Sequence, residues 1–271
     1  MPELPEVEVI CRGLRPHVVG RRVKEVWCGP KELRLPIPRK ELAQLMEGAE
    51  IVSLRRRAKY LLFGLDNGHG LLIHLGMTGR LGIFPALAPP AIHDHLRWRL
   101  DNDMELRYND TRRFGFIRVL TSRGEEQLGQ LGPEPFWPEF SAPYLKEKAG
   151  RRLQPVKNFL MDNKVVVGIG NIYANEILFF AGLRPTTPIG SITMGQWQTV
   201  VEISRQVLEK AIASGGTTIS DYVNASGEKG YFQLELMVYG RQGERCKQCA
   251  SAIEKQVIGG RATFFCPRCQ P

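Results

Sequence analysis

The spacing of apolar residues changes character twice along the chain. Residues 5–14 carry Val7, Ile10 and Leu14 at helical spacing on one face, which predicts a short N-terminal helix. Pro5 suits its first turn, and Glu3 and Glu6 stand where a helix N-terminus favours negative charge. From about 20 to 120 the pattern shifts to short apolar or alternating runs at 51–54, 60–65, 70–75, 95–100, 105–108 and 116–120. Asp66-Asn67-Gly68 is a hairpin-type turn between two of them. Many short strands at close spacing predict a sandwich or barrel. Residues 85–92 form a proline-rich loop, and Gly132-Pro133-Glu134-Pro135 with Pro138 marks the end of the strand pattern and a domain boundary. Helical periodicity follows. Trp197, Val200, Val201, Val207, Leu208, Ala211 and Ile212 predict a long helix closed by Gly215-Gly216. Residues 220–232 are polar and glycine-containing, which predicts a loop, and the last thirty or so make a small cysteine module.

Bulk properties narrow the class. The 271 residues favour more than one domain, and an apolar fraction of 43% supports an ordinary globular core. Net charge is +9 and pI is about 9.4, a basic excess that favours an anionic partner. No apolar run nears the ~18 residues of a membrane helix. The acidic, proline-rich start Met1-Pro2-Glu3-Leu4-Pro5-Glu6 has no basic-then-apolar pattern, so no signal peptide is expected and the expected compartment is the cytoplasm. Of six cysteines, four fall at the C-terminal end. In a reducing compartment such a cluster argues for metal rather than disulfides.

The cluster is Cys246-x2-Cys249-x16-Cys266-x2-Cys269. Two close pairs supply four thiolates, which suit one tetrahedral Zn2+ and leave no open position for water, so the metal is structural. Between the pairs, Gly259-Gly260-Arg261 puts an arginine on a short tip suited to phosphate. Gly168-Ile169-Gly170-Asn171 precedes an expected helix. It fits an anion site or an ordinary helix-start turn, and it lacks the third glycine or Lys-Ser/Thr of nucleotide fingerprints. Arg55-Arg56-Arg57-Ala58-Lys59-Tyr60 and Arg112-Arg113-Phe114-Gly115-Phe116 interleave bases and aromatics. Such runs grip phosphates and fill the space of an extruded base, or form a solvated basic face. Pro2 follows Met1. Once trimmed, it offers a secondary amine, and an α-amino group of pKa about 7.7–8.0 is partly neutral near pH 7.

Together these segments resemble the bacterial formamidopyrimidine-DNA glycosylases. The resemblance rests on Pro2-Glu3-Leu4-Pro5-Glu6-Val7-Glu8, Arg56-Arg57-Ala58-Lys59-Tyr60, His74-Leu75-Gly76-Met77 and His93-Asp94-His95. It extends through Asp110-Thr111-Arg112-Arg113-Phe114-Gly115, Leu131-Gly132-Pro133-Glu134-Pro135, Val167-Gly168-Ile169-Gly170-Asn171-Ile172-Tyr173 and the four cysteines, in order over nearly the whole chain. It implies an α+β multidomain fold: a β-sandwich catalytic domain over 1–131, a helix–two-turn–helix domain over 132–236 and a zinc finger over 237–271. It implies excision of oxidised purines (8-oxoguanine, formamidopyrimidines) from damaged double-stranded DNA, then lyase cleavage by β- and δ-elimination. Pro2 would be the nucleophile, Glu3 the general acid with Glu6 in support, Lys59 the β-elimination lysine and Arg261 the residue of δ-elimination. Met77, Arg112 and Phe114 would fill the gap left by the flipped base, Arg112 also facing the orphaned cytosine. His93, Arg152, Lys157 and Asn171 would grip the backbone, and the 220–232 loop would close over the lesion. A monomer beside the chromosome is expected.

One departure is Asn158, where relatives often carry proline. Two other readings fit part of the pattern. An endonuclease VIII-like enzyme for oxidised pyrimidines usually begins Pro-Glu-Gly-Pro, whereas this chain has Leu4. A lesion-binding protein without cleavage would lack the catalytic residues, whereas Pro2, Glu3 and Lys59 are all present.

Overall fold

A computed structural model describes residues 2–120, 126–215 and 235–271. The expected 220–232 loop lies outside the described residues. The chain divides into two compact units. One is built mainly from Met1–Gly129, the other from Gln130–Ala213 with Leu234–Pro271.

In the first unit the N-terminal helix α1 spans Leu4–Val18, four residues beyond the expected end. Val7, Cys11, Leu14 and Val18 are all buried; they recur at intervals of three and four and keep one face on the core. Ile10 is only partly buried beside them. The strands are β1 (Arg21–Cys28), β2 (Glu50–Arg57), β3 (Tyr60–Leu65), β4 (Gly70–His74), β5 (Gly79–Pro85), β6 (Asp94–Leu100), β7 (Met104–Asp110) and β8 (Phe116–Leu120). Their order is β5-β7-β6-β1-β2-β3-β4-β8, with every pairing antiparallel. The first strand carries two partners at different points. Arg21 and Arg22 pair with β2, whereas Val23–Cys28 pair with β6. It therefore joins two half-sheets, and these share one apolar core. Ile51, Leu61, Phe63, Leu71 and Ile73 come from one half; Leu81, Leu96, Trp98, Leu106 and Tyr108 come from the other. This is the expected sandwich architecture.

Helix α2 (Arg39–Met46) interrupts the stretch expected to be strand. Leu42 and Met46 bury one face, and the Trp98 indole N–H contacts the Met46 sulfur at 3.1 Å. A short helix α3 covers Glu126–Gly129.

The second unit is helical: α4 (Ala142–Ala149), α5 (Val156–Leu160), α6 (Asn171–Phe180) and α7 (Met194–Ala213). Ser141 caps α4 through the Tyr144 N–H. Along α7, Trp197, Val200, Val201, Ser204, Val207, Leu208 and Ala211 are buried, so its apolar spacing is that of a packed helix. The same unit holds the hairpin of β9 (Glu254–Ile258) and β10 (Arg261–Phe265). No helix among the described residues is long and apolar enough to cross a membrane.

Candidate functional site

In the first unit Pro2, Glu3 and Glu6 lie together at the start of α1. Glu3 is the N-cap residue and Pro2 precedes it. The Glu6 carboxylate accepts the Glu3 backbone N–H at 2.9 Å, half of a capping box. Glu3 and Glu6 are almost wholly buried, at 2% and 5% exposure, whereas Pro2 is partly exposed. The segment is therefore an anchored helix start with a reachable residue before it, not a loose terminus.

Lys59 sits in the two-residue turn between β2 and β3, with Arg57 paired to Tyr60 and Ala58 at φ 54°. An ion pair ties this turn to α1. Arg56 Nε donates to Glu8 at 2.8 Å, and Arg56 also donates to the Ala58 carbonyl at 3.0 Å. Burial alone would raise the Glu8 pKa; Arg56 and Arg12 outweigh it and hold the carboxyl below its ordinary range. Glu8 and Arg56 thus link the helix carrying Glu3 to the turn carrying Lys59. The sequence offers Arg56 only as part of a run that grips phosphates or forms a solvated basic face, and it gives Glu8 no role of its own.

His74 lies at the end of β4 opposite Tyr60. Its ring stacks on Phe116 (5.2 Å between centroids, 18° between planes), and Nδ1 accepts the Gly76 N–H at 3.1 Å. Burial first, then the charges of Lys59 and Arg34, bring its pKa down to about 4. The imidazole is neutral at pH 7.

Met77 follows in the turn between β4 and β5, and Arg112 and Phe114 lie in the turn between β7 and β8. All three side chains are exposed, Met77 at 38% and Phe114 at 46%. The Arg112 guanidinium lies 4.6 Å from the Phe114 ring centroid, a cation–π contact that pre-organises both. His93 is partly exposed ahead of β6, and its carbonyl accepts the Asp110 N–H at 3.1 Å.

In the second unit the four Sγ atoms of Cys246, Cys249, Cys266 and Cys269 lie within 4.8 Å of one another. Cys246–Cys269 and Cys249–Cys266 are 3.9 and 3.3 Å apart. Tetrahedral zinc with Zn–S near 2.3 Å needs thiolates about 3.8 Å apart, so the donor set fits one structural Zn2+. The hairpin tip has Gly259 and Gly260 at φ 56° and 73°. Both central residues of a tight hairpin turn occupy the left-handed region that glycine tolerates. Arg261 is exposed directly after them.

Lys157 and Asn171 stand behind that tip. Lys157 Nζ donates to the Ala262 carbonyl (3.1 Å) and the Thr263 hydroxyl (2.7 Å), and Asn171 Nδ2 donates to the same carbonyl at 3.0 Å. Lys157 has no exposed surface; its observed partners are β10, not solvent. Asn158, the departure noted in the sequence, lies against the tip: a Cβ on Gly259 would come within 2.5 Å of its side-chain nitrogen. Arg152 is exposed after α4, donates to the Ala149 and Lys148 carbonyls and stacks over Phe159. Two further anchors went unnoticed in the sequence. Asn175 accepts the Phe264 N–H at 2.7 Å, and the Glu176 carboxylate accepts the N–H groups of Met237, Val238 and Tyr239 at 2.8–3.0 Å.

Comparison with known proteins accounts for the whole length. The family model "Formamidopyrimidine-DNA glycosylase N-terminal domain" matches residues 1–117, "Formamidopyrimidine-DNA glycosylase H2TH domain" matches 131–223, and "Zinc finger found in FPG and IleRS" matches 243–271. The fold, the cysteine module and these matches define a zinc-finger DNA glycosylase of base-excision repair. Formamidopyrimidine-DNA glycosylases of Acidithiobacillus ferrooxidans and Xanthomonas oryzae pv. oryzae are 47% and 46% identical over 271 residues, covering 100% of both chains. A Lactococcus lactis formamidopyrimidine-DNA glycosylase, crystallised non-covalently bound to DNA containing an abasic site, superposes with TM-score 0.89 at 31% identity over 99% of each chain. The same Lactococcus protein bound to formamidopyrimidine-containing DNA gives TM-score 0.88 at 31% identity, again over 99% of each. The chain belongs to the formamidopyrimidine-DNA glycosylase family.

Proposed function

We propose that this enzyme excises oxidised purines from duplex DNA and then cuts the strand by β- and δ-elimination, with Pro2 as the amine nucleophile. The observation that carries the reading is the anchored start of α1. Glu3 is buried, its N–H is held by Glu6, and Pro2 stands immediately before it. Once Met1 is removed, the Pro2 nitrogen lone pair attacks C1′ of a flipped nucleotide. The bond from C1′ to the base breaks; the base leaves with its electron pair and takes up a proton, and the Pro2 nitrogen gives up its own N–H proton. Glu3 donates a proton to the sugar oxygen as the ring opens, leaving an iminium between Pro2 and C1′. The iminium accepts the electrons released when a C2′ proton is lost, and the 3′ phosphate departs. Lys59 is assigned to this β-elimination and Arg261 to the δ-elimination that releases the 5′ phosphate. The zinc would supply no chemistry; the four thiolates that would hold it flank the hairpin that carries Arg261.

A base in an intact duplex is out of reach, so the nucleotide must leave the stack at a cost of a few kcal/mol. Met77, Arg112 and Phe114 are assigned to the vacated space, with Arg112 reading the orphaned cytosine. His93, Arg152 and Asn171 are assigned to backbone phosphates. Lys157 is kept in that set through β10, which it supports from behind. We assign catalysis to 1–131 and the duplex grip to 132–236 and 237–271, in a monomer acting in the cytoplasm.

The test is borohydride trapping on a duplex with one 8-oxoguanine opposite cytosine, beside an oxidised-pyrimidine duplex. The second arm matters because the Lactococcus relative has also been crystallised with oxidised-pyrimidine DNA. An adduct mapped to Pro2, stronger on the purine duplex, is expected. Failure to trap either duplex with protein lacking Met1 refutes the amine mechanism; equal trapping refutes the purine preference.

A further inference from the structure

The turn carrying Met77 and the turn carrying Arg112 and Phe114 meet on a single side chain. Asp110, the last residue of β7, has no exposed surface. Its Oδ1 accepts the Thr78 hydroxyl at 2.5 Å and the Arg112 backbone N–H at 3.3 Å. Its Oδ2 accepts the Gly115 N–H at 2.9 Å and the Tyr108 hydroxyl at 3.3 Å. Thr78 closes the set by accepting the Arg112 N–H at 3.1 Å. One turn gives Thr78, directly after Met77; the other gives Arg112 and Gly115, on either side of Phe114.

The backbones touch as well. A Cβ on Gly76 would lie 2.3 Å from the Gly115 nitrogen and 2.4 Å from the Phe114 carbonyl carbon. Gly76 is at φ +64°, so this close approach requires glycine twice over. From behind, the Asp110 carbonyl contacts His95 Nε2 at 2.9 Å.

The chemistry of the cluster needs a carboxylate. All four partners are neutral donors, two for each oxygen. An amide would turn its NH2 toward groups that can only donate or already do so. Burying a carboxylate costs desolvation, and a well-packed apolar residue is often the more stable occupant of such a place. A buried charge shared between two exposed loops is therefore better explained by what it positions than by what it stabilises. Burial, then the charge and hydrogen bond of Asp110, push the Tyr108 phenol far above its ordinary range, so its proton remains available to donate.

We infer that Asp110 is the positioning residue of the base-gap wedge, a buried carboxylate that sets Met77, Arg112 and Phe114 in register before DNA arrives. The inference rests on the wedge assignment made above for those three residues. Asp110 does not touch DNA in this role; it acts through the Arg112 and Gly115 backbone and through Thr78. It fixes where the Arg112 guanidinium stands, and so governs which opposing base is accepted.

The experiment compares single-turnover excision of 8-oxoguanine opposite cytosine and opposite adenine for the parent, Asp110→Asn, Thr78→Val and Arg112→Ala. Melting of each variant is followed in parallel. A role in general stability moves the melting point and scales both rates alike; a positioning role moves their ratio. The expected result is a cytosine-over-adenine ratio about tenfold lower in Asp110→Asn, the equivalent of one charge-assisted hydrogen bond. Thr78→Val should show a smaller drop in the same direction. If Asp110→Asn does not fold, Thr78→Val carries the test. A parental ratio in the folded Asp110 and Thr78 variants, with a collapsed ratio in Arg112→Ala, overturns the Asp110 assignment. A parental ratio in Arg112→Ala as well overturns the wedge reading beneath it.

Discussion

Acid should destabilise the N-terminal unit through one identifiable ring. His74 is stacked against Phe116, its Nδ1 accepts the Gly76 N–H, and its pKa is lowered from the ordinary 6.5 to about 4. Desolvation is the largest cause; Lys59 and Arg34 add to it. Protonation would also place an N–H on Nδ1 against the N–H of Gly76. In the unfolded chain the ring takes up its proton near 6.5, so between the two values the unfolded state binds more protons. Stability is then fully present above 6.5 and is lost as pH falls toward 4. The interval is worth about 3 kcal/mol at ~1.4 kcal/mol per pH unit, a large share of the ~5–15 kcal/mol that holds a domain folded. The assay is urea unfolding of the parent and His74→Gln from pH 7.5 to 4.5, with NMR titration of the histidine ring in the parent. Glutamine can still accept the Gly76 N–H but does not titrate, so contributions from carboxylates cancel in the difference. The parent should lose more stability than the variant over this range, and the His74 signal should not titrate above about 5. Parallel stability curves, or a ring titrating near 6.5, refute the reasoning.

Three further outcomes follow from contacts already described. Glu176→Gln turns one of two accepting oxygens into an NH2 facing the N–H groups of Met237–Tyr239. It should destabilise the C-terminal unit by about 2 kcal/mol and speed zinc loss to a chelator; parental unfolding and zinc retention would contradict this. Gly115→Ala puts a Cβ 1.8 Å from the Tyr108 hydroxyl and should cost about 1–3 kcal/mol, read as a lower melting point. Cys249→Ser removes one of four clustered thiolates and should lower zinc content below one per chain and destabilise the hairpin. Full zinc occupancy would refute the metal assignment.

What the sequence revealed and what it concealed divide by the distance over which a residue works. The cysteine pairs are close in sequence, so their spacing carried the tetrahedral site. The alternating runs from 51 to 120 pointed to a sandwich or barrel, because each strand has a period of its own, and the family resemblance chose the sandwich. Helix α2 escaped notice because Leu42 and Met46 are too few to set a period within eight residues. The full length of α1 was missed because Pro16 lies inside it and ordinarily ends a helix. Side chains that act across the fold left no local trace. Glu8 and Arg56 meet over 48 positions, and Thr78 and Asp110 over 32. Lys157 is the sharpest case. Beside Arg151 and Arg152 it resembles an exposed phosphate contact, yet its ammonium is buried and bonded to Ala262 and Thr263, more than 100 residues away. Asn171 reaches the same carbonyl from the start of α6. Those bonds end one and two residues from Arg261, so two helices fix the strand that bears the exposed arginine, while the four thiolates fix its other end. The hairpin tip is thus held from both sides. A change at Lys157 should be felt first in where Arg261 stands and only through it in the grip on phosphate.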